Sequence, residues 1–477
     1  MIMMKNKIKR VFTIAFIIYA AFAVSFYFLS GDQLKYREAK DNIEIVDADS
    51  VTPELSRGIV ATQDFKNTVD NVEQIALVFT KFYRGGQGLL TIDLYDGNNL
   101  LYRKMFDVDK DIPEQHRVYI QPEVPLRDLK DKTLTIKVYS NSRNNEGVSL
   151  MMNGQKAPEG SFVKVGNQIL PGTICFSVSG TEKIGISQYY WFIMGGFGLF
   201  LGLIFFFSYK NYVDGRTNYL VAAILAIYRY QFLISQLVIR DFKSKYKRSI
   251  LGVFWSFLNP LLTMTVQFLV FSTFFKADTQ NYPVYLLSGV VCFSFFSECT
   301  TMCLSSISGN ARLITKVYIP KYIFPLARTI SSSVNLGISL IPLLLASLVL
   351  GIAIKPQAIL FFFFLICLII FSLGIGLFLS ALMVFFRDIQ FLWTVLTQIW
   401  MYATPIFYPA EIIPEEYRFI VRLNPLYHFI GNARTCLIDG ISPEPRAYIF
   451  CALFALLSLL IGAYTFKKTQ DKFALYL

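Results

Sequence analysis

Charge is what this sequence is short of. Only 16% of its 477 residues are Asp, Glu, Lys or Arg, and 54% are hydrophobic. Soluble domains carry about 25% charged residues. The deficit excludes a disordered chain, a coiled coil and a simple cytosolic enzyme. Histidine is nearly missing: His116 and His428 stand far apart, and lone histidines are more often structural than catalytic. The seven cysteines have no framework. Only Cys175 falls in the long polar region, so no disulfide can staple that region. Cys299 and Cys303 share a helical face, but no His is near, and packing is their expected role. No Gly-x-x-x-x-Gly-Lys-Ser/Thr loop occurs, so nothing here cradles nucleotide phosphates in that way. If the chain works with ATP, the motor is another polypeptide.

Aromatic residues are abundant instead, with 45 Phe and 27 Tyr, and the net charge is +12. The charge is unevenly placed. Residues 31–188 hold 19 basic and 22 acidic residues, and the remainder holds 26 and 11. The excess lies in short segments between apolar runs, as the positive-inside rule requires, which favours membrane topology over nucleic acid.

Lys5, Lys7, Lys9 and Arg10 precede the uncharged run Val11 to Leu29. That pattern predicts an uncleaved anchor with its amino end in the cytoplasm, because the core is long and Ser30-Gly31-Asp32 is a poor cleavage site. Residues 31–188 change character. Period-two alternation in Leu90 to Tyr95, Leu134 to Tyr139 and Ile174 to Val178, separated by turn residues, predicts an all-β sandwich. Tyr189 to Tyr209 is a second uncharged span. The β domain is therefore tethered at both ends and expected outside. Residues 210–249 are basic again. Leu220 to Ile239 is apolar but broken by Arg229, Gln231 and Gln236, which predicts a helix lying in the cytoplasmic interface. Six further apolar segments follow: 250–275, 282–307, 326–354, 358–386, 391–408 and 447–466. The loops put Arg312, Lys316, Lys321, Arg387, Lys467, Lys468 and Lys472 inside, and only Lys276 and Lys355 in the two short outside loops. The reading is an α-helical polytopic membrane protein of eight spans, with both termini cytoplasmic and an inserted β sandwich.

The segment Arg240-Asp241-Phe242-Lys243-Ser244-Lys245-Tyr246-Lys247-Arg248-Ser249-Ile250-Leu251-Gly252-Val253-Phe254-Trp255, closing at Asn259-Pro260, is a basic flank that turns into the membrane at a small residue. It resembles the opening of the membrane subunit of ABC exporters that move polysaccharides and teichoic acids. Further pieces follow in order: Phe295-Phe296-Ser297-Glu298, then Asn310 to Pro320 with Pro325, then Phe386-Arg387-Asp388-Ile389. Thr404-Pro405-Ile406-Phe407-Tyr408-Pro409 and Asn424-Pro425-Leu426 complete the set. The match covers roughly 220–477. Residues before about 215 depart from the family pattern, which lacks two extra spans and an outer domain.

The resemblance implies a six-span exporter domain in a bacterial inner or plasma membrane. It also implies a homodimer with the pathway at its interface, and two copies of an ATP-binding subunit that carry ATP and Mg. No cofactor is expected in this chain. The cargo implied is a lipid-linked glycan: O-antigen, a capsule-like polymer or teichoic acid. Asn310, Leu313, Ile314, Lys316 and Pro320 would contact the ATPase. Arg240, Lys243, Lys245 and Arg248, at the headgroup level, are candidates for a pyrophosphate as well as for anionic lipid. Glu298 is a carboxylate in an apolar segment, a placement that points to an interior or a cavity; a helix-packing role is equally open. Trp393, Trp400, Tyr402, Phe407 and Tyr408 are candidate channel aromatics, beside the ordinary roles of belt and core packing. Tyr83, Tyr95, Tyr102 and Tyr119 are candidate glycan contacts of the outer domain, whose other readings are a passive cap or a protein-binding module. Alternatives are an exporter of small hydrophobic compounds and a membrane-embedded glycosyltransferase. The latter would need external carboxylates, and Asp278, Glu411, Glu415, Glu416 and Asp439 show no paired spacing. Asp47-Ala48-Asp49 matches a metal-binding glycosyltransferase pair only superficially, because no nucleotide-binding α/β pattern surrounds it.

Overall fold

The computed structural model describes residues 2–476 except 39–42, 46, 83–85, 115, 155–160, 217, 248, 276–280 and 318. Tyr83, Arg248, Lys276 and Asp278 lie outside the described residues. The chain divides into two units, Met1–Leu34 with Tyr190–Leu477, and Lys35–Tyr189.

The first unit is helical. Its helices are α1 (Ile2–Leu29), α2 (Asp32–Lys35), α3 (Gly185–Val213), α4 (Tyr219–Tyr246), α5 (Phe254–Phe275), α6 (Tyr282–Leu304) and α7 (Ala311–Lys316). They continue with α8 (Ile323–Val349), α9 (Phe361–Phe385), α10 (Ile389–Ala403), α11 (Arg418–Arg422), α12 (Pro425–Arg434), α13 (Pro445–Thr469) and α14 (Phe473–Tyr476). Eight segments are long and apolar enough to cross a membrane: 5–29, 188–213, 221–245, 254–271, 282–304, 323–349, 356–385 and 445–476. The number equals the eight spans read from sequence, but the membership differs. The expected interfacial helix α4 is in the set, and the expected span 391–408 is not, because α10 has only 15 residues. At 1.5 Å per residue that helix reaches about 22 Å, short of a hydrocarbon core of about 30 Å.

Packing explains both differences. Phe22 of α1 stacks on Phe363, and Phe26 meets Tyr448 edge-on, so the C-terminal end of α1 lies beside the N-terminal ends of α9 and α13. The N-terminal end of α1 is therefore level with the C-terminal ends of α9 and α13. The first half of α4 packs there, where Val221 is buried with Ile8, Phe12 and Tyr209. Its second half packs at the same end, where Ile234 and Leu237 are buried with Ile323, Ala327, Val384 and Phe466. Both halves of a helix about 42 Å long thus contact one end of the bundle. Lys5 to Arg10, Arg312, Lys316, Arg387, Lys467 and Lys468 also fall at this basic end.

Helix α10 runs antiparallel to α6. Trp393 bonds Thr300, Trp400 packs on Phe296, and Phe407 accepts from Tyr282. These contacts ascend α6 over 18 residues, about 27 Å. A short helix followed by the non-helical stretch Thr404–Tyr408 covers the length that the sequence suggested for one continuous helix.

The second unit is a sandwich of two antiparallel sheets. Its strands are β1 (Tyr36–Glu38), β2 (Ile43–Ile45), β3 (Ser50–Val51), β4 (Val60–Lys66), β5 (Asn71–Thr80), β6 (Leu89–Asp96) and β7 (Asn99–Asp107). The others are β8 (Arg117–Ile120), β9 (Thr133–Ser140), β10 (Ser149–Asn153), β11 (Phe162–Val165), β12 (Gln168–Pro171), β13 (Thr173–Ile174) and β14 (Phe176–Lys183). One sheet runs β1-β14-β5-β10-β13, with β2, β3 and β8 added at its flanks; the other runs β12-β11-β4-β9-β6-β7. Leu90, Ile92, Leu94, Leu134, Ile136 and Val138 alternate inward and meet Leu77, Phe79, Phe176 and Val178 in a core made only of this unit's residues.

Helices α9 and α13 approach most closely at small residues. A Cβ at Gly374 would overlap Ser458, and one at Gly462 would overlap the Gly374 carbonyl. Close backbone approach is how helices associate where lipid leaves no hydrophobic driving force. Gly374→Val or Gly462→Val is expected to destabilise the folded protein by about 1–3 kcal/mol through overpacking. Thermal unfolding in detergent, followed by intrinsic fluorescence, should show a lowered midpoint, while Gly337→Val, with open space at its Cβ, should not.

Candidate functional site

At the basic end α4, α6 and α8 enclose a cavity of about 590 Å3 lined by Arg240, Asp241, Ser244, Lys245, Glu298, Met302, Gly309 and Arg328. Asp241 is buried on the inner face of α4. It accepts from Arg328 Nη1 at 2.9 Å and from Arg240 Nη2 at 3.1 Å. Glu298 projects from α6, where Lys245 Nζ donates to its Oε1 at 2.8 Å and Asn335 Nδ2 at 2.6 Å. Asp241, the buried member, is held by pairing and hydrogen bonding, while Arg240, Lys245 and Glu298 keep contact with solvent. Three cations face two anions, so the cavity holds one excess positive charge. Glu298 is thus a member of a pair, and its packing partners are Lys245 and Asn335.

The charged cluster continues into the expected ATPase contact. Arg240 Nη1 donates to Asn310 Oδ1 at 2.9 Å, and Asn310 Nδ2 donates to the Ser306 carbonyl at 2.7 Å. Asn310 is buried and precedes α7. Leu313 and Ile314 are half-buried, packed against the hydrophobic cluster of their own chain at the basic end. The outward surface of this segment is Arg312, Thr315, Lys316 and Val317, with Pro320 half-buried behind it. Lys243 is exposed on α4.

Most of the expected channel aromatics turn inward. Trp393 is buried and donates to Thr300 Oγ1 at 3.2 Å. Trp400 packs edge-on against Phe296 and Phe371 and donates to Asn424 Oδ1 at 2.8 Å. Phe407 is buried and stacked on Phe271 at 5.0 Å. Tyr408 is half-buried, its hydroxyl donating to the Tyr402 carbonyl. Only Tyr402 points outward. It ends an exposed stripe of Phe391, Leu392, Val395, Leu396 and Ile399 on the opposite face of α10. The burial of the two tryptophans has a simple cause: an indole buries more area in the α6–α10 contact than on a free surface.

The non-helical stretch after α10 is held by residues the sequence reading missed. Arg434 ends α12 fully buried, and donates to the carbonyls of Pro405 at 2.7 Å, Tyr285 at 2.9 Å and Ile406 at 3.0 Å. Its guanidinium also lies 3.5 Å from the centre of the Tyr285 ring. Tyr282 donates to Phe407, and Tyr285 to Tyr408. Asn424 caps α12 at Leu426 and donates to Thr404 Oγ1 at 2.8 Å, joining Thr404-Pro405 to Asn424-Pro425. A lone Arg amid apolar residues was the available signal for Arg434, and likewise for Arg328. A cleft of about 870 Å3 opens beside this element and includes Arg422, His428, Asn432, Arg434, Asp439, Glu444 and Arg446. Burial pushes the Asp439 carboxyl above its ordinary range. Glu415 pairs with Arg418 at 3.4 Å. Among the described residues no group of three His, Cys, Asp or Glu is placed to hold a metal.

Residues 232–438 match the family described as ABC-2 type transporter. They form an ABC-2 type transporter membrane domain. The span covers the charged cavity, α7, α10 and the Arg434 element together. The chain is 28% identical over 261 residues to the O-antigen export system permease protein RfbA of Myxococcus xanthus, covering 54% of this chain and 99% of that protein. Its likeness to the Klebsiella pneumoniae protein of the same description is 28% over 253 residues, 52% of this chain and 96% of the relative. The polysialic acid transport protein KpsM of Escherichia coli is 23% identical over 244 residues, 50% and 93%. With these relatives and the apolar helices, the protein is a multi-pass inner-membrane transporter component. The matched residues make up about two fifths of the chain.

Substituting Arg434 by Leu removes a donor from three carbonyls; Pro405 and Tyr285 keep the Tyr285 and Ser288 hydroxyls, and loss of the donor to Ile406 costs about 1–3 kcal/mol. The expected outcome is loss of the monodisperse detergent-solubilised protein in size-exclusion chromatography, with Arg434→Lys intermediate. Lys243→Ala, at an exposed position, should elute as the parent does. A well-behaved Arg434→Leu protein would show that the carbonyls are satisfied by other groups.

Proposed function

We propose that this chain is the permease subunit of an ATP-driven exporter of a lipid-linked polysaccharide. The observation that carries the reading is the charged cavity at the basic end of an ABC-2 domain whose relatives are polysaccharide permeases over nearly their whole length. The basic end is the cytoplasmic one, in keeping with the positive-inside rule, and the β unit is outside. The excess positive charge among Arg240, Lys245 and Arg328 suits the diphosphate that joins a glycan to its lipid. Lys243, on the exposed side of α4, suits the surrounding anionic headgroups. A basic amphipathic helix laid along the interface is the arrangement expected of α4.

Two partners complete the machine. An ATP-binding subunit, which supplies ATP and Mg, docks at Arg312, Thr315, Lys316 and Val317. Asn310 connects that surface to Arg240, so movement at the dock reaches the cavity. A second copy of this chain packs at the exposed stripe of α10, which places the pathway between two copies and puts Tyr402 beside it.

Three measurements test the reading. In a strain lacking the gene, the parent chain should restore surface glycan, and Lys245→Ala with Arg328→Ala should lower it at least about tenfold while membrane insertion is intact. Arg312→Glu with Lys316→Glu should abolish co-purification of the ATPase. Single cysteines in a cysteine-free background should be labelled from outside at Asn98, and from inside at Lys243 and Lys468. Restoration of glycan without any ATP-binding subunit, or external labelling at Lys468, would sink the corresponding part.

A further inference from the structure

The outward face of the six-stranded sheet has an order that the fold alone does not require. Residues facing away from the core align in cross-strand rows about 4.8 Å apart from strand to strand. One row runs Arg103, Asp93, Lys137, Thr62 across β7, β6, β9 and β4. The next runs Met105, Thr91, Tyr139, Val60. A charged row therefore lies beside an apolar and aromatic one.

The charged row is built around Asp93. This carboxylate points to the outer face yet is only 2% exposed. Arg103 clamps it with Nε at 2.7 Å and Nη2 at 2.8 Å. Tyr95 and Tyr139 each donate a hydroxyl to its Oδ2 at 3.4 Å, one from each side. Lys137 sits 4.2 Å from the centre of the Tyr95 ring. Long side chains on a water-facing sheet ordinarily stand in solvent. Here they lie down over one carboxylate and make a fixed platform, which lowers the ordering cost of binding. Beside it Met105 is 58% and Val60 38% exposed.

We infer that this face is a glycan-binding site of the exported polymer, with the Tyr139–Met105 row stacking on the apolar faces of sugar rings and the Arg103–Asp93–Lys137 row bonding their hydroxyls. A sugar ring offers both chemistries on adjacent surfaces, C–H on its faces and hydroxyls at its rim. The inference rests on the exporter reading for the identity of the polymer. It selects among the tyrosines expected from sequence. Tyr95 belongs to the platform. Tyr102 packs against the core and donates to the Gln121 carbonyl, and Tyr119 is exposed on β8 of the other sheet. Tyr139 was not anticipated.

The test uses the full chain in lipid nanodiscs and calorimetric titration. The probes are polysaccharide released by mild acid from the host cell surface, dextran and polysialic acid. Saturable binding of the host polysaccharide is expected, weakened about five- to tenfold by Tyr139→Ala, the range of one lost aromatic contact. Tyr139→Phe, which keeps the ring, should bind within about twofold, and Tyr119→Ala should bind as the parent. Met105→Glu should weaken binding from an exposed position that does not touch the core, so the proposal stays falsifiable if Tyr139→Ala unfolds. Absence of binding to all three probes overturns the inference, as does equal binding by Met105→Glu and the parent, or equal weakening by Tyr119→Ala. Export is scored separately by surface glycan in the complemented strain. Export without binding overturns the sheet site alone, and binding without export overturns the exporter reading.

Discussion

Three backbone carbonyls converge on the buried side chain of Arg434. An unwound segment can persist there only when protein groups replace the solvent. A guanidinium is suited to that task, because its donors fan out in one plane and its charge strengthens each bond. The charge itself is met by carbonyl dipoles and by the face of Tyr285. The consequence is architectural. Because Thr404–Tyr408 can stay non-helical, α10 ends early, and the chain still travels the length of α6. The cleft beside this element is lined by α12, which returns to deliver Arg434 to that point.

The basic end solves a related problem by a different route. Asp241 is held by Arg240 and Arg328, and Glu298 by Lys245, on three helices. Buried ion pairs contribute little net stability, since desolvation offsets attraction. They do fix register, because sliding α4 by one residue would leave Asp241 and Glu298 buried and unpaired. Arg240 ties this cluster to Asn310, and Asn310 is the first fixed point before α7. Hydrogen bonds thus link the charged cavity to the buried residue at the start of α7. They pass through side chains whose alternatives are costly, and such links shift between discrete arrangements rather than bend.

How far the sequence revealed this varies with the kind of signal. Alternation in Thr133–Ser140 appears unchanged as inward Leu134, Ile136 and Val138. Apolar length located seven of the crossing helices, and the ordered motifs located the transporter domain. Three things were hidden for physical reasons. On α10 nearly every position is apolar, so composition cannot tell the buried face of Trp393 and Phe407's contact from the exposed face of Leu392 and Ile399. On α4 composition permits both a span and an interfacial helix, and only contacts at both of its halves distinguish them. Tyr95 and Tyr102 differ by which side of the sheet a register places them on, and that register is set across the β6–β7 turn, where it shifts between Leu94 and Tyr95.

Asp93 and Asp241 are both buried carboxylates bonded to arginine, and the comparison separates support from function. At Asp241 the surroundings are helices that must stay assembled in an apolar medium, so removing the charges as a set would still leave a packable interior. At Asp93 no such need exists. The sheet face borders water, and a threonine in the middle strand would satisfy the fold. Keeping a desolvated carboxylate there takes the two bonds from Arg103 and the hydroxyls of Tyr95 and Tyr139, with Lys137 over the Tyr95 ring. An arrangement that is not demanded by folding, yet ties these side chains to one carboxylate, has the physical signature of a surface prepared for contact.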